Sequence, residues 1–292
     1  MKPKVISAIP TAFEPDGGLD LAGTRRIMEH AMSGGVDALF IAGTTAEFPA
    51  LSASEVVALF EAAVDVAGAE RVIAHVGAVS AYQARSLTRH AIDLGVGAIA
   101  AITPYYMASG TSAVTDYFAS IREASNGTAL FAYFFPDRTG IHLDVEEVVE
   151  LASNVQLDGL KLSGLDIEFV GRAVTLLPGT PVFSGADDSY AEVVALGAAG
   201  VVSGVSSAFP DPFARMTEAL VRGDRDAQRE AQNAIDTVVP VVGPSLRALK
   251  VALARLGVID SPTCRVAIDQ VAPEIDAQIS AVIAQTVAGS TT

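Results

Sequence analysis

The sequence predicts an α/β fold, a (β/α)8 TIM barrel with a C-terminal helical extension. Residues 1–222 alternate short β-like runs with amphipathic helical patterns. Eight such strand–helix units follow one another with mostly short connections. The strand-like runs are continuously apolar, as strands buried on both faces must be. A doubly wound open sheet is the competing reading. The count of eight and the lack of a Gly-x-Gly-x-x-Gly turn after the first strand argue against it.

The strands fall at residues 5–9, 38–42, 71–76, 98–102, 129–134, 157–162, 181–184 and 200–203. The helices fall at 21–33, 53–67, 81–94, 113–124, 145–153, 167–176, 188–196 and 212–221. Ser52 ahead of Glu55 forms a capping box, with Ser54 as the alternative cap, and Ser80 precedes the third helix. Gly34-Gly35, Gly95 and Gly197 stand where helices should stop. Beyond the eighth unit only helices are expected, at 225–242, 245–256 and 273–288, and Pro273 suits the first turn of the last. The chain therefore divides into a barrel catalytic domain, 1–222, and a helical region packed on it, 223–292. No segment is rich enough in Pro, Gly or Ser to be a linker.

Composition narrows the function. The 292 residues carry 19 Lys+Arg against 34 Asp+Glu, a net charge of −15, which argues against nucleic acid as a partner. Half the chain is hydrophobic, enough to offset the entropy of ordering it. The single Cys264 excludes an intramolecular disulfide and a Cys-based zinc site, and no His-x-x-x-His or carboxylate-rich spacing suggests a metal. The uncharged stretches 94–115 and 193–210 are broken by Gly, Ser, Thr and Pro, and read as alternating buried elements, not membrane spans. Met1-Lys2-Pro3-Lys4-Val5 lacks the apolar core of a signal peptide, so the expected location is the cytoplasm.

Barrel chemistry gathers at the C-terminal ends of the strands. Those ends carry Gly43-Thr44-Thr45-Ala46-Glu47, His75, Thr103-Pro104-Tyr105-Tyr106, Tyr133 with Pro136-Asp137-Arg138-Thr139-Gly140, Lys161, Ser184-Gly185 with Asp187-Asp188, and Ser203 with Ser206. Of four lysines, Lys2, Lys4, Lys161 and Lys250, only Lys161 interrupts a barrel strand. Burial lowers the pKa of such an amine and frees it to form a Schiff base with a ketone. The alternative is a lysine paired with a carboxylate or reaching out of the strand end. Tyr133 is either a proton-relaying phenol or a packing residue. Gly43-Thr44-Thr45 offers N–H groups and hydroxyls to a carboxylate, or is an ordinary turn. Arg138 clamps a carboxylate or sits in a surface ion pair. His75 reads as a hydrogen-bonded core histidine, and Asp187-Asp188 as a helix N-cap pair.

Taken together, these motifs resemble the dihydrodipicolinate synthase / N-acetylneuraminate lyase family of pyruvate-dependent class I aldolases. The resemblance runs from about Ile9-Pro10-Thr11 to Phe209-Pro210, with the helical tail in keeping. It is carried by Gly43-Thr44-Thr45-x-Glu47, Leu51-Ser52-x-x-Glu55, Thr103-Pro104-Tyr105-Tyr106, Tyr133-x-x-Pro136, Gly159-Leu160-Lys161 and Ser184-Gly185-x-Asp187. It implies that Lys161 forms an imine with pyruvate and that Thr44 and Thr45 hold the pyruvate carboxylate. It implies that Tyr133 is the general acid/base, linked through Thr44 to Tyr106 of a neighbouring subunit. Gly185 and the carbonyl region of Val202-Ser203 would face the substrate. A homotetramer built as a dimer of dimers is implied, with no cofactor and no metal.

The finer pattern bears on the second substrate and points in more than one direction. Arg138-Thr139-Gly140 looks like the synthase pattern, in which the Arg binds the carboxylate of aspartate semialdehyde. Phe134 and Phe135 stand where the family commonly has Asn and a small or aliphatic residue, which makes the pocket more apolar. Ala46 replaces a usual Gly, so it is either strained or adds a methyl near the entrance. Ala74-His75-Val76-Gly77 and Leu160-Lys161-x-Ser163-Gly164 look more like the lyase branch, and Leu162 stands where synthases usually carry Glu. The expected activity is condensation of pyruvate with an aldehyde, or cleavage of a 2-keto-3-deoxy sugar acid to pyruvate. N-acetylneuraminate lyase, a dehydratase acting on a keto-deoxy sugar acid, and a non-catalytic keto-acid-binding barrel are the alternatives. Phe48, Pro49, Ala53 and Val56 occupy the neighbourhood of the lysine-binding residues of feedback-inhibited synthases. Initial rates should therefore be unchanged in millimolar lysine; strong inhibition would contradict this reading.

Overall fold

The structure, a computed structural model, describes residues 2–289. Eight parallel strands close into a barrel in sequence order: β1 Lys4–Ala8, β2 Ala38–Ile41, β3 Val72–His75, β4 Ala98–Ile102, β5 Ala129–Phe134, β6 Gly159–Leu162, β7 Val182–Ser184 and β8 Gly200–Ser203. Helices α1 Leu21–Ser33, α2 Ala53–Ala67, α3 Ala81–Asp93 and α4 Thr111–Ala124 follow the first four strands. A short α5, Pro136–Thr139, precedes α6 Val145–Val155; then come α7 Ile167–Leu176, α8 Tyr190–Ala195 and α9 Pro210–Arg222. The chain ends in α10 Arg225–Val242, α11 Leu246–Arg255 and α12 Pro273–Gly289. The TIM barrel and its helical extension are as the sequence predicts.

Local signals account for the helix ends. At α2 the Glu55 N–H donates to Ser52 Oγ and the Ser52 N–H donates back to the Glu55 carboxylate, closing the capping box. Ser80 caps α3 by accepting from the Gln83 N–H. Several boundaries differ from the sequence reading, most by one or two residues. Helix α5 forms where a loop was expected, because Pro136 fits a first helical turn and Gly140, at φ 70°, ends it at once. Helix α9 starts at Pro210, two residues early, for the same reason of proline at the first turn. Helix α8 starts late, at Tyr190, with no side-chain cap bond.

Strand alternation separates two apolar layers. Ile6, Phe40, Ile102, Tyr133, Phe183 and Val202 fill the barrel interior. Leu39, Ala74, Ile99, Leu130, Phe134, Leu160 and Val201 face the helices instead. Both faces are apolar, which is why the strands read as unbroken hydrophobic runs. Small Ala8, Ala100 and Ala199 alternate with large rings inside, so the interior is filled by side chains. Among the described residues no single helix is long and apolar enough to cross a membrane; α10 and α11 reach that length only together, across a bend of 111°.

The barrel closes where β8 pairs with β1, Gly200 standing opposite Lys4. Gly200 has φ 140°, and a Cβ there would meet the Lys4 carbonyl oxygen at 1.9 Å. Replacing Gly200 with Ala therefore strains the backbone and breaks the seam. The variant should lose about 3 kcal/mol or more of unfolding free energy in denaturant titration; native-like stability would contradict the seam argument.

Candidate active site

Lys161 projects into the barrel because its register partners, Tyr133 on β5 and Phe183 on β7, are interior residues. It is 5% exposed. Its Nζ lies 4.0 Å from the Tyr133 ring centroid and 4.3 Å from that of Phe40. Among the described residues it makes no ion pair. Burial pushes its pKa down to about 7, against a smaller opposing pull from the Asp187 carboxylate. The amine thus reaches its neutral, nucleophilic form near neutral pH.

The Tyr133 hydroxyl lies 3.3 Å from Thr44 Oγ1. Burial pushes the phenol above its usual range, while hydrogen bonds to Thr44 and Ser163 and the Arg138 charge pull it back. Thr44 opens a 3-10 turn, Thr44–Ala46, directly after β2. A Cβ on the preceding Gly43 would meet the Phe40 ring at 2.6 Å, so only glycine fits beneath the turn. The turn ends at Glu47, which carries the left-handed φ of 59°. Ala46 is therefore unstrained; its methyl is buried and not at an entrance, and its carbonyl accepts from Thr11 Oγ1 at 2.9 Å.

A cavity of about 430 Å3 collects Thr44, Thr45, Tyr133, Arg138, Lys161, Gly185 and Val202. A second, of about 550 Å3, shares Thr44, Arg138 and residues 244–246 with it, and is walled by Phe48, Ile102, Tyr105, Val266 and Ile268. Arg138 stands exposed on α5 with its Cζ 5.5 Å from the Phe135 ring centroid, and among the described residues it makes no ion pair. Two sequence candidates lie elsewhere. Ser203 is buried and does not line the cavity, its Oγ accepting from the Ser206 N–H at 3.0 Å. Tyr106 is 88% exposed, at φ 77°, and outside its own chain's cavity.

Asp187 and Phe134 depart from the sequence reading. Asp187 is not an N-cap: Ser189 precedes α8, and Asp187 lines the cavity, 9% exposed, with Oδ1 unpaired. Burial pushes its carboxyl up to about 7, opposed by a hydrogen bond from Ser203. Its place in the Ser184-Gly185-x-Asp187 motif was the signal for the site, but two consecutive acids after a barrel strand equally describe a cap. Phe134 does not enter the pocket; strand alternation turns it outward against Phe118, at 6.4 Å between centroids, and Phe135 alone lines the cavity. Glu47 stood in the sequence as the last residue of the Gly43-Thr44-Thr45-x-Glu47 motif with no role of its own, and its buried partner Lys250, described below, carried no local signal. His75 is the core histidine expected: Nδ1 donates to the Ala42 carbonyl at 2.8 Å, Nε2 accepts from the Ile102 N–H at 3.2 Å, and burial pushes its pKa down to about 3. Among the described residues no group of three or more His, Cys, Asp or Glu is arranged to hold a metal ion.

The amine's environment gives a direct expectation. Reductive methylation of Lys161, read by peptide mass, should rise with pH to a plateau above about 7. Because the Asp187 charge favours the ammonium form, Asp187→Asn should move the midpoint to lower pH. A midpoint that moves up, or a profile flat through neutrality, would contradict the assignment.

A family model described as "Dihydrodipicolinate synthetase family" matches residues 1–286. A 4-hydroxy-tetrahydrodipicolinate synthase of Exiguobacterium sibiricum is 32% identical over 86% of this chain and 87% of its own length. An N-acetylneuraminate lyase of Clostridium perfringens is 29% identical over 89% of this chain and 91% of its own. The solved structure of a 2-keto-3-deoxygluconate aldolase variant from Sulfolobus solfataricus superposes with a TM-score of 0.87 at 25% identity, covering 98% of this chain and 97% of that one. With a family match of this extent joined to the barrel and its buried lysine, the chain belongs to the dihydrodipicolinate synthetase family.

Proposed function

We propose that this chain is a class I aldolase that binds pyruvate as an imine on Lys161. The observation that carries the reading is a lone amine inside the barrel, unpaired among the described residues and depressed to about 7 by burial, with a phenol and a threonine hydroxyl beside it. Family membership and the names of the relatives support the same class of lyase.

Neutral Lys161 Nζ attacks the ketone carbon of pyruvate, and the carbinolamine loses water to give the imine. Tyr133, through Thr44, moves the protons of those steps. The hydroxyls of Thr44 and Thr45 and the N–H groups of their turn hold the carboxylate. Loss of a C3 proton gives the enamine, which attacks an aldehyde carbon; the reverse sequence cleaves a 2-keto acid to pyruvate. Gly185 and the Val202-Ser203 backbone border the keto acid. Tyr106, exposed and outside its own cavity, supports an assembly in which a neighbouring subunit supplies it to the Thr44–Tyr133 pair, within a tetramer.

Arg138, which makes no ion pair among the described residues, favours an anionic second substrate. Aspartate semialdehyde in the synthetic direction and a 2-keto-3-deoxy sugar acid in the cleaving direction both fit that charge. A dehydratase would keep the imine but release no pyruvate, so product analysis separates it. Borohydride reduction with pyruvate should leave an adduct on Lys161, mapped by mass, at a rate that rises with pH through about 7. Lys161→Ala should give no adduct and no turnover in a folded protein, and Tyr133→Phe should slow turnover by about 10²-fold or more. An active Lys161→Ala protein would refute the mechanism.

A further inference from the structure

One buried charge pair takes no part in the chemistry above. Lys250 on α11 and Glu47 after β2 are 203 residues apart, with side chains 0% and 1% exposed. Lys250 Nζ donates to Glu47 Oε1 at 2.5 Å and to the Thr263 carbonyl at 2.8 Å, and lies 4.4 Å from the Phe13 ring centroid. Glu47 Oε2 accepts from the backbone N–H groups of Arg265 at 2.7 Å and Val266 at 2.8 Å. The Arg265 guanidinium in turn grips the Glu55 carboxylate, at 2.6 and 2.9 Å, and the Ala50 carbonyl at 3.0 Å. The segment after α11 is thereby bolted to the loop between β2 and α2, at Glu47 and Ala50, and to the first turn of α2, at Glu55.

Glu47 is also the last residue of the site's turn. Its N–H donates to the Thr44 carbonyl at 3.0 Å, and Thr44 Oγ1 meets the Tyr133 hydroxyl. A buried ion pair adds little stability over an apolar pair of the same shape, because desolvation offsets the attraction. A geometric role explains its presence better. We propose that Glu47 and Lys250 are positioning residues that fix the Thr44–Ala46 turn against Tyr133, so that the C-terminal helical layer sets the geometry of the keto-acid pocket. The inference rests on the reading of Thr44 and Tyr133 as the pyruvate-binding and proton-moving pair.

Spatial continuity is not coupling, so the test is a double-mutant cycle in the full chain. Lys250→Met, Glu47→Gln and the combined variant are compared in two measurements. Hydrogen–deuterium exchange without ligand reads the amides of residues 44–51; borohydride trapping reads the pyruvate concentration for half-maximal adduct. Each single variant should exchange faster in 44–51 and need about tenfold more pyruvate at unchanged maximal adduct yield. The combined variant leaves no lone buried charge and keeps an acceptor for Arg265 and Val266, so it should recover most of both losses. Glu47→Gln carries the test if Lys250→Met does not fold. Unchanged exchange, faster exchange with an unchanged pyruvate requirement, or losses that simply add in the combined variant would overturn the proposal. A wild-type protein that traps no pyruvate would instead refute the functional reading, and exchange alone would then decide the positioning role.

Discussion

A charged ammonium in the dry interior of a closed barrel is costly, and the arrangement of the site follows from that cost. Eight strands with both faces covered exclude water from the centre, where Phe40, Tyr133 and Phe183 surround the Lys161 side chain. The ring faces of Phe40 and Tyr133 give partial compensation through their quadrupoles, but among the described residues no carboxylate pairs with the amine at close range. The proton is therefore held loosely, which is the property a Schiff-base nucleophile needs. Asp187, equally buried and pushed the opposite way, stands in the same cavity, so two groups that differ widely in water approach one another in proton affinity here.

The polar groups around this centre are held by different means. Tyr133 and Lys161 are register neighbours on adjacent strands, so the sheet ladder fixes their spacing. Thr44 and Thr45 belong to a turn, and a turn needs support from outside itself. Glycine beneath it, the Thr11 hydroxyl on the Ala46 carbonyl, and the Glu47 carboxylate anchored by Lys250 and two backbone N–H groups supply that support. The C-terminal helices are thus part of the site's frame. Pro244, Ser245 and Leu246 wall both cavities, and Val266 and Ile268 wall the outer one.

The mouth of the site carries a different chemistry from its floor. Arg138 is exposed and stacks near Phe135, with its donors unspent on any ion pair among the described residues. Its helix, α5, is a single turn between Pro136 and Gly140, which aims the side chain over the opening. The floor gathers Lys161, Tyr133, Thr44 and Thr45, whereas the outer cavity mixes this one cation with the carboxylates of Glu47 and Asp269 and with apolar walls such as Phe48 and Tyr105.

The eight strand–helix units, the Ser52–Glu55 capping box and Lys161 as the lysine that interrupts a barrel strand are legible in residue order. These are local or periodic features, and short-range sterics and burial leave their mark directly in residue order. Tertiary structure alone decided the rest. Whether Phe134 or Phe135 faces the pocket depends on strand phase, which one residue of register reverses. Whether Asp187 caps a helix or enters a cavity depends on where α8 begins. Glu47 and Lys250 meet across 203 residues, and a contact between such distant positions has no period and no motif, so only the folded chain brings it to light.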